Sequence, residues 1–249
     1  MEFWDLINIT ARHMELENPT SREKILLLGK HLRLHEGSRV IDFGCGYAEA
    51  LVLWAEHYGI SGVGVDVRPY ACARANKKVA DHGLSDRIEI VCARGEEYEF
   101  DEGTFNAATC IGATFIWDGY APSVRAMKRA THSRGRLGIG EQIWRKACAP
   151  PEYVLEGAQG TYFENDLLQL SRAEGYDIEH IIRASDDDWD RYETDRWHGM
   201  IGWLEENPDH PDRLQVVARL HESQDEYLRY GRTYMGWAMY ALAPQTYQR

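Results

Sequence analysis

The chain has 249 residues, of which 44% are hydrophobic, and a formal net charge of −12, enough length for one α/β domain with extensions and a full core. Residues 1–150 balance 19 Lys and Arg against 20 Asp and Glu, whereas residues 151–249 hold 9 against 20. That acidic second part disfavours nucleic acid and anionic membrane, so the expected partner is a small molecule or a protein.

Residues 2–16 read as a helix with Phe3, Leu6, Ile7, Thr10 and Met14 on one face, broken at Asn18-Pro19. A second helix is expected at 20–32, capped by Thr20 or Ser21 and striped by Ile25, Leu28 and Leu32. Both precede the first strand, and residues 1–34 are the candidate cover of a site. From Val40 the pattern alternates: strand 39–43, helix 47–58, strand 61–66, helix 69–82, strand 88–92, a turn at 94–99, strand 105–112, helix 120–131 and strand 136–141. Such alternation implies parallel βαβ units and an open, doubly wound α/β sheet. After Pro150-Pro151 a helix at 163–174 ends at Gly175, and strand 176–184 follows. Two helices come next. The first, 187–206, places Trp189, Tyr192, Trp197, Met200, Ile201 and Leu204 on one broad face, and the second spans 210–230. A strand at 234–243 closes the series. With no repeat and no long linker, one domain over 1–249 is expected, carrying a helical insertion at 185–230.

The stretch Val40-Ile41-Asp42-Phe43-Gly44-Cys45-Gly46 carries the chemistry. Glycines at 44 and 46 allow positive φ and a close approach of ligand to backbone, and the following helix points free N–H groups at the same place. A carboxylate at 42 would repel a pyrophosphate, so the favoured ligand bears a positive charge. Twenty residues after Gly46, Asp66 ends the second strand, where a carboxylate can accept both hydroxyls of a ribose. The third strand ends at 92–96 and the fourth at 110–117, and both rims should border the same ligand.

These motifs, with the late strand at 234–243, resemble the class I S-adenosylmethionine-dependent methyltransferases over essentially the whole chain. Asn18-Pro19, the run 112–116, Trp189–Glu193 and Trp203–Asp209 resemble more narrowly a bacterial small-molecule branch related to the ubiquinone-pathway methyltransferases. The resemblance implies a seven-stranded sheet in the order 3-2-1-4-5-7-6 with strand 7 antiparallel, covered by helices 1–32 and 185–230. It implies S-adenosylmethionine as cofactor. Gly44, Cys45 and Gly46 would lie against its methionine part and Asp42 near its amino group. Asp66, with Val67 beside it, would take the ribose, Ala93 and Arg94 would border adenine, and Ile111 would close over it.

Methyl transfer from a sulfonium is an in-line displacement in which alignment does much of the work, and a base is needed only if the acceptor must first lose a proton. Glu141 at the end of the fifth strand, His13 on the cover and Tyr192 on the late helix are the candidate catalytic residues, with Glu193 and His198 as further bases. For each, a structural role is the simpler reading. Thr114, Trp117, Trp144 and Trp189 are the candidate acceptor contacts, although tryptophans so placed usually pack helix on sheet. No C-x-x-C group indicates a metal, and Asp186-Asp187-Asp188 reads as a helix start. Five cysteines, an odd number, cannot all pair. With acids at Glu2 and Asp5 and no 18-residue apolar run, a reduced, cytosolic protein without a secretory signal is expected, as a monomer or homodimer. The main reading is methyl transfer to a small-molecule acceptor. The alternatives are non-methyl chemistry such as cyclisation and a cofactor-binding module without turnover. A nicotinamide dehydrogenase is disfavoured by Asp42 and by the lack of a glycine at position 49.

Overall fold

A computed structural model describes residues 1–146, 152 and 161–246. Strands β1 (Arg39–Phe43), β2 (Ser61–Asp66), β3 (Ile88–Cys92), β4 (Phe105–Ile111), β5 (Thr131–Trp144), β6 (Tyr176–Arg183) and β7 (Met235–Pro244) form one sheet in the order 3-2-1-4-5-7-6. β7 runs antiparallel to both β5 and β6, while the remaining neighbours pair in parallel. This is the order and the strand direction that the resemblance implies. β1 is buried from Val40 to Phe43, Asp42 included, because both faces of the sheet are covered; only Arg39 of that strand is exposed.

On one face pack α2 (Arg22–His31), α3 (Glu49–Tyr58) and α4 (Pro69–Asp81), around a core that includes Leu28, Leu51, Trp54 and Val79. The opposite face carries α5 (Tyr120–Ala130) and α6 (Glu164–Ala173), whose Val124, Met127 and Leu167 meet Ile41, Phe43 and Ile139. Trp54 is fully buried and its indole N–H donates to the Ile25 carbonyl at 2.8 Å, joining α3 to α2. Such a ring satisfies both its large apolar surface and its one donor.

Beyond the carboxyl edge lie α1 (Phe3–Thr10), α7 (Asp186–Glu206) and α8 (Arg213–Glu226), the last running into a π-helical stretch over Tyr227–Gly231 and a short turn over Arg232–Tyr234. Met200, Leu204, Val216 and Leu220 form a smaller cluster with Leu6 and Ile9. Gly199 lets α1 come close, since a Cβ there would lie 2.7 Å from the Ile9 carbonyl oxygen. α7 starts in a capping box between Ser185 and Asp188, so the acidic triplet is a helix start; Asp188 also pairs with Lys24 of α2.

Three expectations shift. The first helix stops at Thr10 rather than 16, because the Arg74 guanidinium takes the carbonyls of Arg12 at 2.9 Å and Met14 at 2.6 Å and so holds that segment in another path. β5 is longer than 136–141 because antiparallel pairing with β7 continues to Trp144. Ile201 is exposed and does not join the packed face of α7. Pro150-Pro151 and Cys148 lie outside the described residues; the other four cysteines are free thiols. Among the described residues, no helix is long and apolar enough to cross a membrane.

Glu49 is buried and accepts from Arg22 and Lys78, each at 2.5 Å, so one carboxylate ties α2, α3 and α4 together. Replacing Glu49 with Ala should lower unfolding stability by about 2 kcal/mol, below the value for a fully buried pair because Arg22 is half exposed; urea denaturation reads the change.

Candidate functional site

β1 delivers Asp42 to the carboxyl edge of the sheet, and the chain then turns through Gly44, Cys45 and Gly46 into α3. Gly44, Gly46 and Ala48 hold φ values of +71°, +53° and +59°. A Cβ on Gly44 would lie 2.5 Å from Ala113 Cβ, and one on Gly46 would lie 2.5 Å from Glu17 Oε1. Conformation and crowding both require glycine at these two places. The N–H groups of Gly44 and Cys45 reach the Val65 carbonyl at 2.8 and 3.1 Å, which locks the turn onto β2.

Asp42 is buried between strands, and its Oδ1 accepts from the Thr109 hydroxyl at 2.6 Å. Burial pushes this carboxyl up to about 6; Thr109 opposes the rise and nearby Asp66 adds to it. No Lys, Arg or His of the described residues pairs with Asp42. Asp66 uses Oδ2 to accept from the Gly46 N–H at 2.9 Å and Oδ1 to accept from the backbone N–H and Nε of Arg68, at 2.9 and 3.3 Å. Arg68 in turn donates to both oxygens of Glu17 at 2.8 Å. Burial works against its charge, but Glu17 and Asp66 outweigh that and hold Arg68 firmly cationic.

A cavity of about 940 Å³ opens over this turn. Asp42, Gly44, Cys45, Gly46, Asp66, Val67, Arg94 and Ile111 all line it. Ala93 does not: it packs behind the rim, its N–H bonded to the Asp66 carbonyl at 3.0 Å, and Gly95 and Glu96 border the cavity in its place. Trp117 lines the far side, edge-on to Phe43 with ring centroids 4.9 Å apart.

A second cavity, of about 590 Å³, adjoins the first. Thr114, Glu141, Trp189 and Tyr192 line it, and Tyr192 lines both. The Thr114 hydroxyl donates to Glu141 Oε2 at 2.6 Å, and the Gln142 N–H donates to Oε1 at 3.0 Å. Burial raises the Glu141 carboxyl above its ordinary range against both bonds. Two expected contacts fall elsewhere. Trp144 belongs to β5 rather than to a loop, packs against the α2–α4 core and borders neither cavity. His13 is exposed, its ring 5.0 Å from that of His198, and also borders neither.

Several residues that border the cavities are not among the candidate contacts read from the sequence. Asn18 donates to the Ile111 carbonyl at 2.9 Å and stands at the divide between the cavities. Arg196 stands at the same divide, held by Glu193 at 3.0 and 3.1 Å, with its guanidinium over the Tyr192 ring. Glu17 and Arg68 line the first cavity. Arg68 had a usable cue, its place two residues after Asp66, and Asn18 one in the Asn18-Pro19 pair. Among the described residues no group of three His, Cys, Asp or Glu side chains is placed to hold a metal ion.

Residues 40–135 match the family model described as a methyltransferase domain. The Escherichia coli (strain K12) protein YjhP is 32% identical over 97% of this chain and 99% of its own length. A solved S-adenosylmethionine-dependent methyltransferase from Geobacter sulfurreducens, in complex with S-adenosylhomocysteine, is 33% identical with a TM-score of 0.90, covering 96% of this chain and 98% of its own. Another from Thiobacillus denitrificans, with the same ligand, is 30% identical with a TM-score of 0.91, covering 98% of this chain and 100% of its own.

The roof of the first cavity is held down by Arg74. Replacing Arg74 with Ala removes charged donors to backbone carbonyls, each bond contributing about 1.5–3 kcal/mol. Amide hydrogen exchange over residues 11–15 should speed up roughly tenfold or more, while β1 and β4 keep their protection.

Proposed function

This chain belongs to the class I S-adenosylmethionine-dependent methyltransferases, and we propose that it methylates a small-molecule acceptor, with the donor in the first cavity and the acceptor in the second. The observation that carries this reading is the shared wall: Asn18, Gly112, Phe115, Asp118, Tyr192 and Arg196 border both cavities. A donor and an acceptor held on either side of one rim can meet without either leaving its own compartment.

The first cavity fits the donor. Asp42 is a buried carboxylate lacking an ion pair among the described residues, which suits the amino group and sulfonium of S-adenosylmethionine. The backbone of Gly44, Cys45 and Gly46 leaves room for its methionine part. Asp66 takes the ribose hydroxyls, Arg68 Nε being the longest of its present contacts and the one to yield. Arg94 and Gly95 flank the adenine, Val67 and Ile111 close around it, and Ala93 supports that rim from behind. The donor supplies an electrophilic methyl group on a sulfonium sulfur. The chain aligns the acceptor with it and excludes water, an arrangement that can supply roughly 7–11 kcal/mol of barrier reduction.

Thr114, Trp189 and Tyr192 contact the acceptor, and Trp117 closes the donor side of the rim. Glu141 is the proton acceptor the geometry favours, because it alone of the candidate bases lies within a core strand and faces the second cavity with its carboxyl raised by burial. The wall of the second cavity is mostly polar side chains rather than a wide apolar trough, which supports a compact acceptor.

Two outcomes test the donor site. Replacing Asp66 with Ala should weaken S-adenosylmethionine binding by roughly tenfold or more, read by calorimetric titration. Asp42 sets the pH response: its carboxyl is ionised above about 6 and protonated below. Because a cationic donor prefers the carboxylate, affinity should be flat above that value and fall up to about tenfold per pH unit below it. Asp42→Asn should lose affinity and that slope together; an unchanged slope would assign the titration to another group.

A further inference from the structure

The second cavity carries more charge than its own packing needs. Among the described residues, four carboxylates, Asp118, Glu141, Glu193 and Glu226, line it against two guanidiniums, Arg196 and Arg219, with no Lys or His. Both guanidiniums are already engaged: Arg196 by Glu193 at 3.0 Å and Arg219 by Glu222 at 2.6 Å. The charge left over is negative. Glu141 and Glu226 form no ion pair among the described residues, and Glu141 sits against the rim where the two cavities meet.

The walls around these carboxylates are aromatic. Trp189 stacks near Tyr227 with ring centroids 6.3 Å apart and meets Tyr192 edge-on at 5.9 Å, and Trp237 completes that side. Carboxylates among aromatic faces suit a cation, attracted by both the charge and the ring quadrupoles. A second feature is independent of charge. Trp189 is only 8% exposed, yet its indole N–H has no acceptor among the described residues. A buried donor left unpaired is rare in a folded chain and calls for an acceptor supplied from elsewhere.

We propose that this cavity receives a small amine, cationic in solution and bearing a hydroxyl or carboxylate oxygen at its other end, and that the amine nitrogen is the methyl acceptor; this rests on the methyl-transfer reading above. The oxygen accepts from the Trp189 N–H and the ammonium lies toward Glu141. The ammonium gives one proton to the Glu141 carboxylate and the freed nitrogen pair forms the N–CH3 bond. The S–CH3 bond of the donor breaks with its electron pair left on sulfur, and the product is a methylated ammonium. The net reaction releases one proton, which leaves Glu141 for solvent.

The test uses the full chain and paired probes: tyramine, ethanolamine and glycine against 4-hydroxyphenethyl alcohol, ethylene glycol and glycolate. Titrations into protein saturated with S-adenosylhomocysteine give affinities, and methyl-labelled S-adenosylmethionine gives the methylated atom. At least one amine should bind about tenfold or more tightly than its hydroxyl partner and carry the label on nitrogen. Glu141→Gln should lower kcat for that amine by about a hundredfold, with KM within about threefold. Trp189→Phe should raise its KM roughly tenfold and raise the Tm of the protein without probe, since an unpaired buried donor has gone; a purely structural tryptophan would show a lowered Tm and an unchanged KM. If S-adenosylhomocysteine binds but the amines bind no better than their hydroxyl partners, or the label lands on oxygen, the amine assignment is wrong and methyl transfer stands. If neither S-adenosylmethionine nor S-adenosylhomocysteine binds, the donor reading fails and takes the amine proposal with it.

Discussion

The carboxyl edge of the sheet depends on keeping a carboxylate buried in the middle of a parallel sheet. Asp42 stands opposite Thr109 of β4 on one side and Gly64 of β2 on the other, and the Thr109 hydroxyl is the group that makes its burial tolerable, at 2.6 Å. An unpaired polar group at that depth would cost about 1–3 kcal/mol. The same β1–β4 register sets the next contacts in line. Ala113 comes to rest on Gly44, the chain turns through Thr114, and the Thr114 hydroxyl reaches Glu141 within β5. One pairing of central strands thus places the glycine turn, the rim dividing the two cavities and Glu141 in a fixed series.

The roof over that series is held by a different kind of force. Residues 11–17 bury only Ala11 and Met14 against Tyr47 and Ala71, a small apolar contact. The larger part is electrostatic: Arg68 pairs with Glu17, Lys78 with Glu15, and Arg74 lies 3.9 Å over the Tyr47 ring while donating to three backbone carbonyls. The cations come from the cap, the middle and the last turn of α4, on the β2 side of the site, so the floor supplies the positive charges and the roof the negative ones. A cover made this way is weak per residue but specific in position, because charge-assisted bonds to fixed carbonyls define its path.

The donor half of the site was legible in the sequence because its parts are local. A turn of three residues, an acid before it and an acid at the end of the next strand are each short-range features, and β-strand order follows from the alternation and the resemblance they support. Local reasoning erred where a distant side chain redirected a segment: Arg74 ends α1 early, and β7 lengthens β5. Glu49 had no role readable in the chain, since its partners Arg22 and Lys78 lie 27 and 29 residues away on opposite sides. The tryptophans were ambiguous for the same reason. Trp117 and Trp189 border cavities while Trp144 packs in the core, and nothing in their flanking residues separates the two outcomes.

The acceptor half is built the opposite way, from single side chains borrowed from remote elements. Asn18 reaches across 93 residues to Ile111, Ser223 reaches across 30 to Glu193, and α7, α8 and the π-helical stretch each give the second cavity only a few residues. Substitutions there alter charge and shape without touching the glycine turn, so the second cavity can vary while the floor of the first stays fixed. The freedom has a limit. Asn18, Tyr192 and Arg196 belong to both cavities, and Arg196 is oriented by Glu193 on the acceptor side while lying over the Tyr192 ring on the shared wall. A change that repolarises the second cavity through Glu193 therefore also releases a guanidinium beside the first, and the two cavities are coupled through that one side chain.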